Sequence, residues 1–111
     1  MPDETFTRNV LRVTEEIPAG RVMSYGEVGI AVGVEAPRAV GRVLALHGHS
    51  VSWWRVIRAS GEPPQGHARL ALPHYLAEGT PLTGDIENFD YKILPRARLP
   101  FTHEIFGEVA L

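Results

Sequence analysis

Two adjacent tryptophans stand beside an arginine in the segment Val51-Ser52-Trp53-Trp54-Arg55-Val56-Ile57. The chain has only 2 Trp, 3 Tyr and 4 Phe, so this segment concentrates much of its aromatic surface. An indole offers a broad apolar face with one polar N–H, and it suits either a binding pocket or a hydrophobic core. Both interpretations of the tryptophan pair are open from composition alone.

Chemistry that depends on a thiol is excluded, because the 111 residues include no cysteine. Disulfides, thiolate nucleophiles and Cys-ligated metal sites are therefore absent. Among the 5 histidines, His47 and His49 form the only close pair, with His67 and His74 further along the chain. Because no cluster of carboxylates accompanies them, we expect no metal ion and no cofactor.

The distribution of charge is more informative than the net charge of −2. Between residues 36 and 69 there are five arginines and one acid, Glu62, whereas acidic residues concentrate at the two ends. A basic segment in the middle of the chain favours contact with a short stretch of DNA. The non-specific affinity for DNA should be modest, because few phosphates are neutralised. Arginines that merely solvate a surface would give the same pattern, so charge alone leaves both interpretations open.

The elements that must position these residues begin with an amphipathic helix, whose apolar side is Phe6, Val10, Val13 and Ile17. Asp3 can cap its start, and Pro18-Ala19-Gly20 ends it. Ser24 and Glu27 form a capping box for a second helix that runs to about Val32, with Gly33 at its left-handed end.

A third helix is predicted from Pro37 to about His47, with Pro37 in its first turn. One face carries Val40, Val43, Leu44 and His47, and another carries Arg38, Arg42 and Ala45. Two short helices joined by a tight turn that contains Gly33 match the helix-turn-helix pattern. A plain helical hairpin without DNA binding remains the alternative.

Downstream, Trp53 to Arg58 is predicted to be extended, and Val51 to about His67 is predicted to form a small wing or hairpin. A fourth helix over Ala68–Glu78 should bury Leu70, Ala71, Tyr75 and Leu76 and end at Gly79. We predict a mainly α fold, a winged-helix-like helix-turn-helix DNA-binding domain with a small β wing or hairpin. The domain would span 1–82, and 83–111 would be a partly apolar C-terminal extension, either packed on the domain or flexible.

Five sequence blocks follow one another along the chain: Ile17-Pro18-Ala19-Gly20-Arg21-Val22, Ser24-Tyr25-Gly26-Glu27-Val28, Arg38-Ala39-Val40-Gly41, Trp53-Trp54-Arg55-Val56-Ile57 and Glu78-Gly79. In this order they resemble the DNA-binding domain of O6-alkylguanine-DNA alkyltransferases, and more closely the alkyltransferase-like proteins, their non-catalytic relatives. The alkyltransferases carry Pro-Cys-His-Arg-Val in the fourth block. The resemblance therefore implies that Trp53 replaces the reactive cysteine and that Trp54 replaces the histidine that activates it.

The same resemblance implies roles at the DNA. Arg38 would fill the gap left by a flipped base, from the minor groove, and Tyr25 would press on the neighbouring phosphate. The full expected set is Tyr25, Arg38, Ala39, Gly41, Arg42 and Arg55 for DNA, and Trp53, Trp54 and Arg69 for the lesion pocket. Arg55 would hold either the local turn or a phosphate. Where related proteins carry a base-stacking arginine this chain has Gly66, and Arg69 or Arg58 could replace it.

The resemblance implies a non-catalytic monomer that binds double-stranded DNA containing alkylated guanine, without transferring the alkyl group, and flags it for nucleotide excision repair proteins. No apolar run approaches the roughly 20 residues of a membrane helix and no signal pattern is visible, so a cytoplasmic location is expected. A small helix-turn-helix regulator of undamaged DNA is the alternative, and a protein-interaction module that uses the apolar C-terminal segment is a third class.

Overall fold

The computed structural model describes residues 4–107, so the expected Asp3 cap lies outside the described residues. Four α-helices are present: α1 (Glu4–Glu16), α2 (Tyr25–Ala31), α3 (Pro37–His47) and α4 (Ala68–Glu78). Four short strands accompany them: β1 (Met23–Ser24), β2 (Val56–Ile57), β3 (Leu82–Asp85) and β4 (Asp90–Ile93). The architecture is mainly helical with small sheets, as predicted.

The helix-turn-helix begins at Ser24, whose hydroxyl accepts the Glu27 N–H, while the Glu27 carboxylate accepts the Ser24 N–H. This capping box satisfies backbone donors that the first turn of α2 would otherwise leave unpaired. The helix ends at a turn in which Gly33 has φ +83°. At Gly29 a Cβ would meet the Val34 carbonyl at 2.5 Å, so only glycine permits the turn to close this tightly against α2.

The first core cluster lies between α1, α2 and α3 and includes Val10, Val13, Val28, Val40 and Val43. Leu99, Ile105 and Phe106 complete this cluster from the C-terminal segment. The predicted apolar face of α3 is correct at Val40 and Val43, but His47 is exposed. His47 is the last residue of α3, where the chain turns away from the core.

The second core cluster lies under α4 and includes Ala71, Leu72, Tyr75, Tyr91 and Ile93. The prediction that α4 buries Leu70 and Leu76 is wrong, because these side chains are 62% and 58% exposed. At about 100° per residue, positions 71, 72 and 75 share one arc of a helix, and positions 70 and 76 lie beyond its two edges. The helix ends at Gly79, which adopts φ +69° as expected for a left-handed cap.

The segment around the tryptophans differs from its prediction. Trp53–Arg55 form a 3-10 turn, in which the Arg55 N–H donates to the Ser52 carbonyl, and only Val56–Ile57 are extended. These two residues pair in parallel with β1, so Val51 to His67 do not form the predicted wing. Pro63 and Pro64 have no N–H to offer a returning strand. The hairpin lies instead in β3 and β4, which pair antiparallel from Leu82↔Ile93 to Asp85↔Asp90.

The C-terminal segment is joined to the helix-turn-helix by charged contacts. The Arg21 guanidinium donates to the carbonyls of Ala97 and Arg98 at 2.9 and 3.0 Å. Arg98 Nε lies 3.5 Å from the Glu27 carboxylate that caps α2. The segment after β4 therefore packs on the same core as α1–α3. Among residues 4–107, no helix is long and apolar enough to cross a membrane.

Candidate nucleic-acid interface

A cavity of about 580 Å³ opens beside the helix-turn-helix. Its walls come from four places: Tyr25 at the start of α2, one side of α3, the segment from Gly48 to Trp53, and the segment from Arg58 to Leu70. The lining residues are Tyr25, Gly41, Leu44, Ala45, Gly48, His49, Trp53, Arg58, Pro64, Gln65, His67 and Leu70. This volume lies in the range of pockets that hold small organic ligands, about 300–1,000 Å³. A single nucleobase with a substituent is of that class.

Trp53 forms an aromatic wall of the cavity. Its ring lies 5.5 Å from the His67 ring and 5.8 Å from the Trp54 ring, both in edge-on geometry. Gly48, the residue after α3, packs beside it, because a Cβ there would stand at ordinary contact distance, 3.6 Å, from the Trp53 Cβ. The half-buried indole is therefore held from its sides, with surface left toward the cavity.

Tyr25 forms the wall nearest to the helix-turn-helix, and its ring lies against Gly41, where a Cβ would be 3.9 Å away. Burial raises the pKa of the Tyr25 phenol, and the positive charge of Arg58 acts in the opposite direction. The hydroxyl therefore stays protonated at neutral pH and can donate a hydrogen bond to an anionic group. It stands at the N-terminus of α2, where the helix dipole also favours negative charge.

Trp54 was expected in the lesion pocket, but the structure places it in the second core cluster. Its Nε1–H donates to the Glu78 carboxylate at 3.0 Å, and its ring stacks on His74 with centroids 3.7 Å apart. The Tyr75 hydroxyl donates to the Trp54 carbonyl at 2.6 Å. Trp54 is therefore not itself a lining residue, although its ring contacts that of Trp53 from behind the cavity wall.

Arg55 was expected either to hold the local turn or to bind a phosphate, and its contacts favour the first role. Its guanidinium donates to Glu78 from Nε and from a terminal nitrogen 2.6 Å away, and to the Ile17 carbonyl at 2.7 Å. The side chain is only 15% exposed. Each of the three guanidinium nitrogens of Arg55 thus donates to an acceptor within the protein.

The Glu78 carboxylate accepts hydrogen bonds from both Trp54 and Arg55, and it also accepts the Gly20 N–H at 3.0 Å. Burial raises the pKa of Glu78, but hydrogen bonds from Arg55, Gly20 and Trp54 outweigh it and bring the value below its ordinary range. The carboxylate is therefore ionised at neutral pH. It joins the end of α4 to the turn after α1 and to the tryptophan segment.

Arg58 and Arg69 are the two candidate partners for a base in the pocket, and they differ in their position relative to the cavity. Arg69 lies over the Phe89 ring, with its Cζ 4.2 Å from the ring centroid, outside the cavity lining. Arg58 lines the cavity and donates from Nε to the Pro63 carbonyl at 2.9 Å. Of the two arginines, Arg58 therefore lines the same cavity as Trp53, and Arg69 does not.

The outer face of α3 carries the remaining expected DNA residues. Arg38 and Arg42 are exposed, and Ala39 and Gly41 are half-buried. Arg38 is the second residue of α3 and Arg42 follows it one turn later, so both cations lie on the same side of the helix. Of the expected set, Tyr25, Gly41 and Trp53 meet at the cavity, and the arginines of α3 lie on the outer surface of the same helix.

Sequence reasoning did not assign His67 or Gln65 to the pocket, although both line it. His67 Nδ1 lies 3.0 Å from the Gln65 carbonyl, so this nitrogen must carry the proton. The loop that brings them there turns at Gly61 and Gly66, both with positive φ. The two glycines were visible signals of turns, but not of the direction that the loop takes. Residues 4–107 contain no group of three or more His, Cys, Asp or Glu side chains arranged to hold a metal ion.

A capped helix-turn-helix with exposed arginines and an adjoining aromatic cavity defines a DNA-binding domain with a pocket. Residues 5–78 match the model of the family described as 6-O-methylguanine DNA methyltransferase, DNA binding domain, and the chain belongs to that family. A comparison with curated proteins gave no match.

Two solved structures are similar to this chain over most of its length. One is S. pombe Atl1 in complex with damaged DNA containing O6-carboxymethylguanine, with 27% identity and a TM-score of 0.77. The other is S. pombe ATL in complex with DNA, with 29% identity and a TM-score of 0.75. Each match covers 90% of this chain and 99% of the other. The similarity therefore extends beyond the family domain into the C-terminal segment, and the predicted resemblance to alkyltransferase-like proteins is confirmed.

Proposed function

We propose that this protein binds O6-alkylguanine in double-stranded DNA and rotates the lesion out of the helix into the cavity against Trp53. The observation that carries the proposal is the cavity itself, which joins an aromatic wall to the helix-turn-helix through Tyr25 and Gly41. An alkylated guanine pairs poorly and leaves the base stack at a lower free-energy cost than a normal base. The similarity to S. pombe Atl1 in complex with damaged DNA and to S. pombe ATL in complex with DNA supports the binding of DNA by this fold.

In this proposal the outer side of α3 lies in the minor groove. Ala39 and Gly41 allow close approach there, Arg38 enters the gap that the flipped base leaves, and Arg42 contacts the backbone. Tyr25 donates to the phosphate beside the lesion, which the N-terminus of α2 also favours. The exposure of Arg38 and Arg42 supports these roles.

No alkyl transfer to the protein is proposed. Accepting an alkyl group at neutral pH needs a strong nucleophile, in practice a thiolate, and the chain has no cysteine. The family resemblance implies that Trp53 stands where the alkyltransferases carry that cysteine. Trp54, which follows it, donates to Glu78 and provides no base. Another repair pathway would then remove the bound lesion. The family resemblance suggests that this pathway is nucleotide excision repair.

The absence of transfer can be tested by recovering both partners after binding. An O6-methylguanine duplex is incubated with excess protein. The DNA and the protein are then separated, and the mass of each is measured by mass spectrometry. Unchanged masses of the DNA and the protein are expected, with binding retained in a parallel gel-shift. A protein heavier by one methyl group would refute the non-catalytic part of the proposal.

A further inference from the structure

The β3–β4 hairpin packs against the loop that lines the cavity, although the hairpin follows the family domain in the chain. The matched domain ends at residue 78, and β3 begins at Leu82. The loop between β2 and α4, residues 58–67, is here called the pocket loop. It carries four of the residues that line the cavity, which are Arg58, Pro64, Gln65 and His67. The hairpin contacts the chain at both ends of this loop.

At the first end of the pocket loop, β4 holds a tight turn through a backbone hydrogen bond. The Ile93 N–H donates to the Gly61 carbonyl at 2.8 Å, and the Gly61 N–H closes the turn by donating to the Arg58 carbonyl at 2.9 Å. Gly61 has φ +93°, and a Cβ there would stand 3.1 Å from the Ile93 carbonyl oxygen. Glycine therefore permits this close approach of the two backbones, which ties the turn after Arg58 to β4.

At the second end, side chains of the hairpin hold the start of α4. The hydroxyl of buried Tyr91 donates to the carbonyl of Ala68, the residue after His67, at 2.6 Å. Burial raises the pKa of the Tyr91 phenol to about 12, so the hydroxyl is protonated and can donate at neutral pH. The next residue, Arg69, lies over the Phe89 ring, with its Cζ 4.2 Å from the ring centroid.

We propose that the hairpin orders the pocket loop before a lesion binds, with Tyr91 as a positioning residue that acts through His67. The proposal rests on the proposed function and concerns the same cavity. The His67 ring lies 5.5 Å from the Trp53 ring, so a shift at the start of α4 moves one wall of the cavity relative to the other. A loop that moved freely would lose conformational entropy when it closed on a flipped base, and binding would be weaker.

The test removes one hydroxyl from the hairpin. Tyr91→Phe keeps the ring, which packs edge-on against Tyr75, and loses the donor to Ala68. This variant should bind an O6-methylguanine duplex roughly fivefold more weakly, as expected for one neutral hydrogen bond. Its affinity for the unmodified duplex should not change, because a stacked base does not reach the pocket loop. Thr83→Val removes an exposed hydroxyl from the other strand of the hairpin and should change neither affinity.

Hydrogen exchange in the free protein separates positioning from general stability. In Tyr91→Phe the amide of His67, which donates to the Pro64 carbonyl, should exchange faster than in the wild type. The amide of Val40, which donates to the Ala36 carbonyl at the start of α3, should keep its rate. The proposal is wrong if both amides accelerate by the same factor, if the two duplexes lose affinity equally, or if lesion binding does not change.

If Tyr91→Phe does not fold, exchange in the wild type decides the question. The amides of Gly61 and His67 should be as protected as that of Ile93, and rapid exchange of the two loop amides would refute the proposal. A failure of the proposed function looks different, because wild-type protein would bind the O6-methylguanine duplex no better than the unmodified one. The exchange rates would still show whether the hairpin holds the pocket loop.

Discussion

The indole Nε1–H of Trp54 donates to the carboxylate of Glu78 across 3.0 Å. The same carboxylate pairs with Arg55 at 2.6 Å and accepts the N–H of Gly20. These hydrogen bonds hold Trp54 and Arg55, the two residues after Trp53, against the end of α4. The two neighbouring tryptophans thereby have different surroundings, one at the cavity and one in the structural support beneath it.

Trp54→Phe is expected to destabilise the protein without changing lesion preference. Phenylalanine keeps much of the apolar contact but cannot donate to Glu78, and hydrogen bonds to charged groups contribute about 1.5–3 kcal/mol. Urea denaturation should show a loss of free energy of unfolding of that order. The assignment of Trp54 to structural support is wrong if the variant stays stable and loses its preference for O6-methylguanine.

Glu78→Gln should lower the free energy of unfolding at pH 7 by about 3 kcal/mol, as expected when one member of a largely buried ion pair is removed. The pKa of Glu78 is lowered in the folded protein, so its contribution is present above the ordinary value of 4.5 and is lost as the pH falls through the folded pKa. The deficit of the variant should therefore shrink below pH 4.5. A deficit that is constant with pH would contradict the ionised state of Glu78.

Trp53→Ala should remove most of the lesion preference while the fold is retained. Stacking of one base on an aromatic side chain contributes roughly 1–3 kcal/mol, and the alanine would leave the flipped base without its wall. Binding to O6-methylguanine and unmodified duplexes, measured by fluorescence anisotropy of labelled DNA, should become nearly equal. An unchanged ratio would place the base elsewhere on the protein.

Arg38→Ala should weaken binding to the lesion more than binding to unmodified DNA, by roughly tenfold, because a charged hydrogen-bonding group is lost from the gap in the stack. Arg96→Ala removes the same charge from an exposed position outside α3, so it serves as the control for general electrostatic attraction. If the two variants behave alike at every salt concentration, Arg38 acts only through its charge.

The helices of this protein could be predicted because their signals are local. The Ser24–Glu27 capping box, Pro37 at the start of α3 and Gly79 at the end of α4 each act through the backbone of their own turn. Strand pairing could not be predicted in the same way. Val56–Ile57 pair with Met23–Ser24, more than 30 residues earlier. Nothing in the sequence of either segment indicates which other segment it pairs with.

The candidate site was predicted in part for the same reason. Motif order identified Tyr25, Gly41 and Trp53, which meet at the cavity. The choice between Arg58 and Arg69 depended on the path of the loop between them, which turns at Gly61 and Gly66. The structural role of Arg55 depended on Glu78, which lies 23 residues further along the chain. Such contacts follow from tertiary packing and leave no pattern in a short window of sequence.

The proposed function depends most directly on the preference of the protein for O6-methylguanine over normal guanine. Two duplexes of identical sequence, one with O6-methylguanine and one with guanine, are titrated with the protein at a fixed salt concentration, and the intrinsic tryptophan fluorescence is followed. We expect tighter binding to the lesion duplex and a larger change in fluorescence with it, because the flipped base lies against Trp53. Equal affinities for the two duplexes would refute lesion recognition and indicate a protein that binds undamaged DNA.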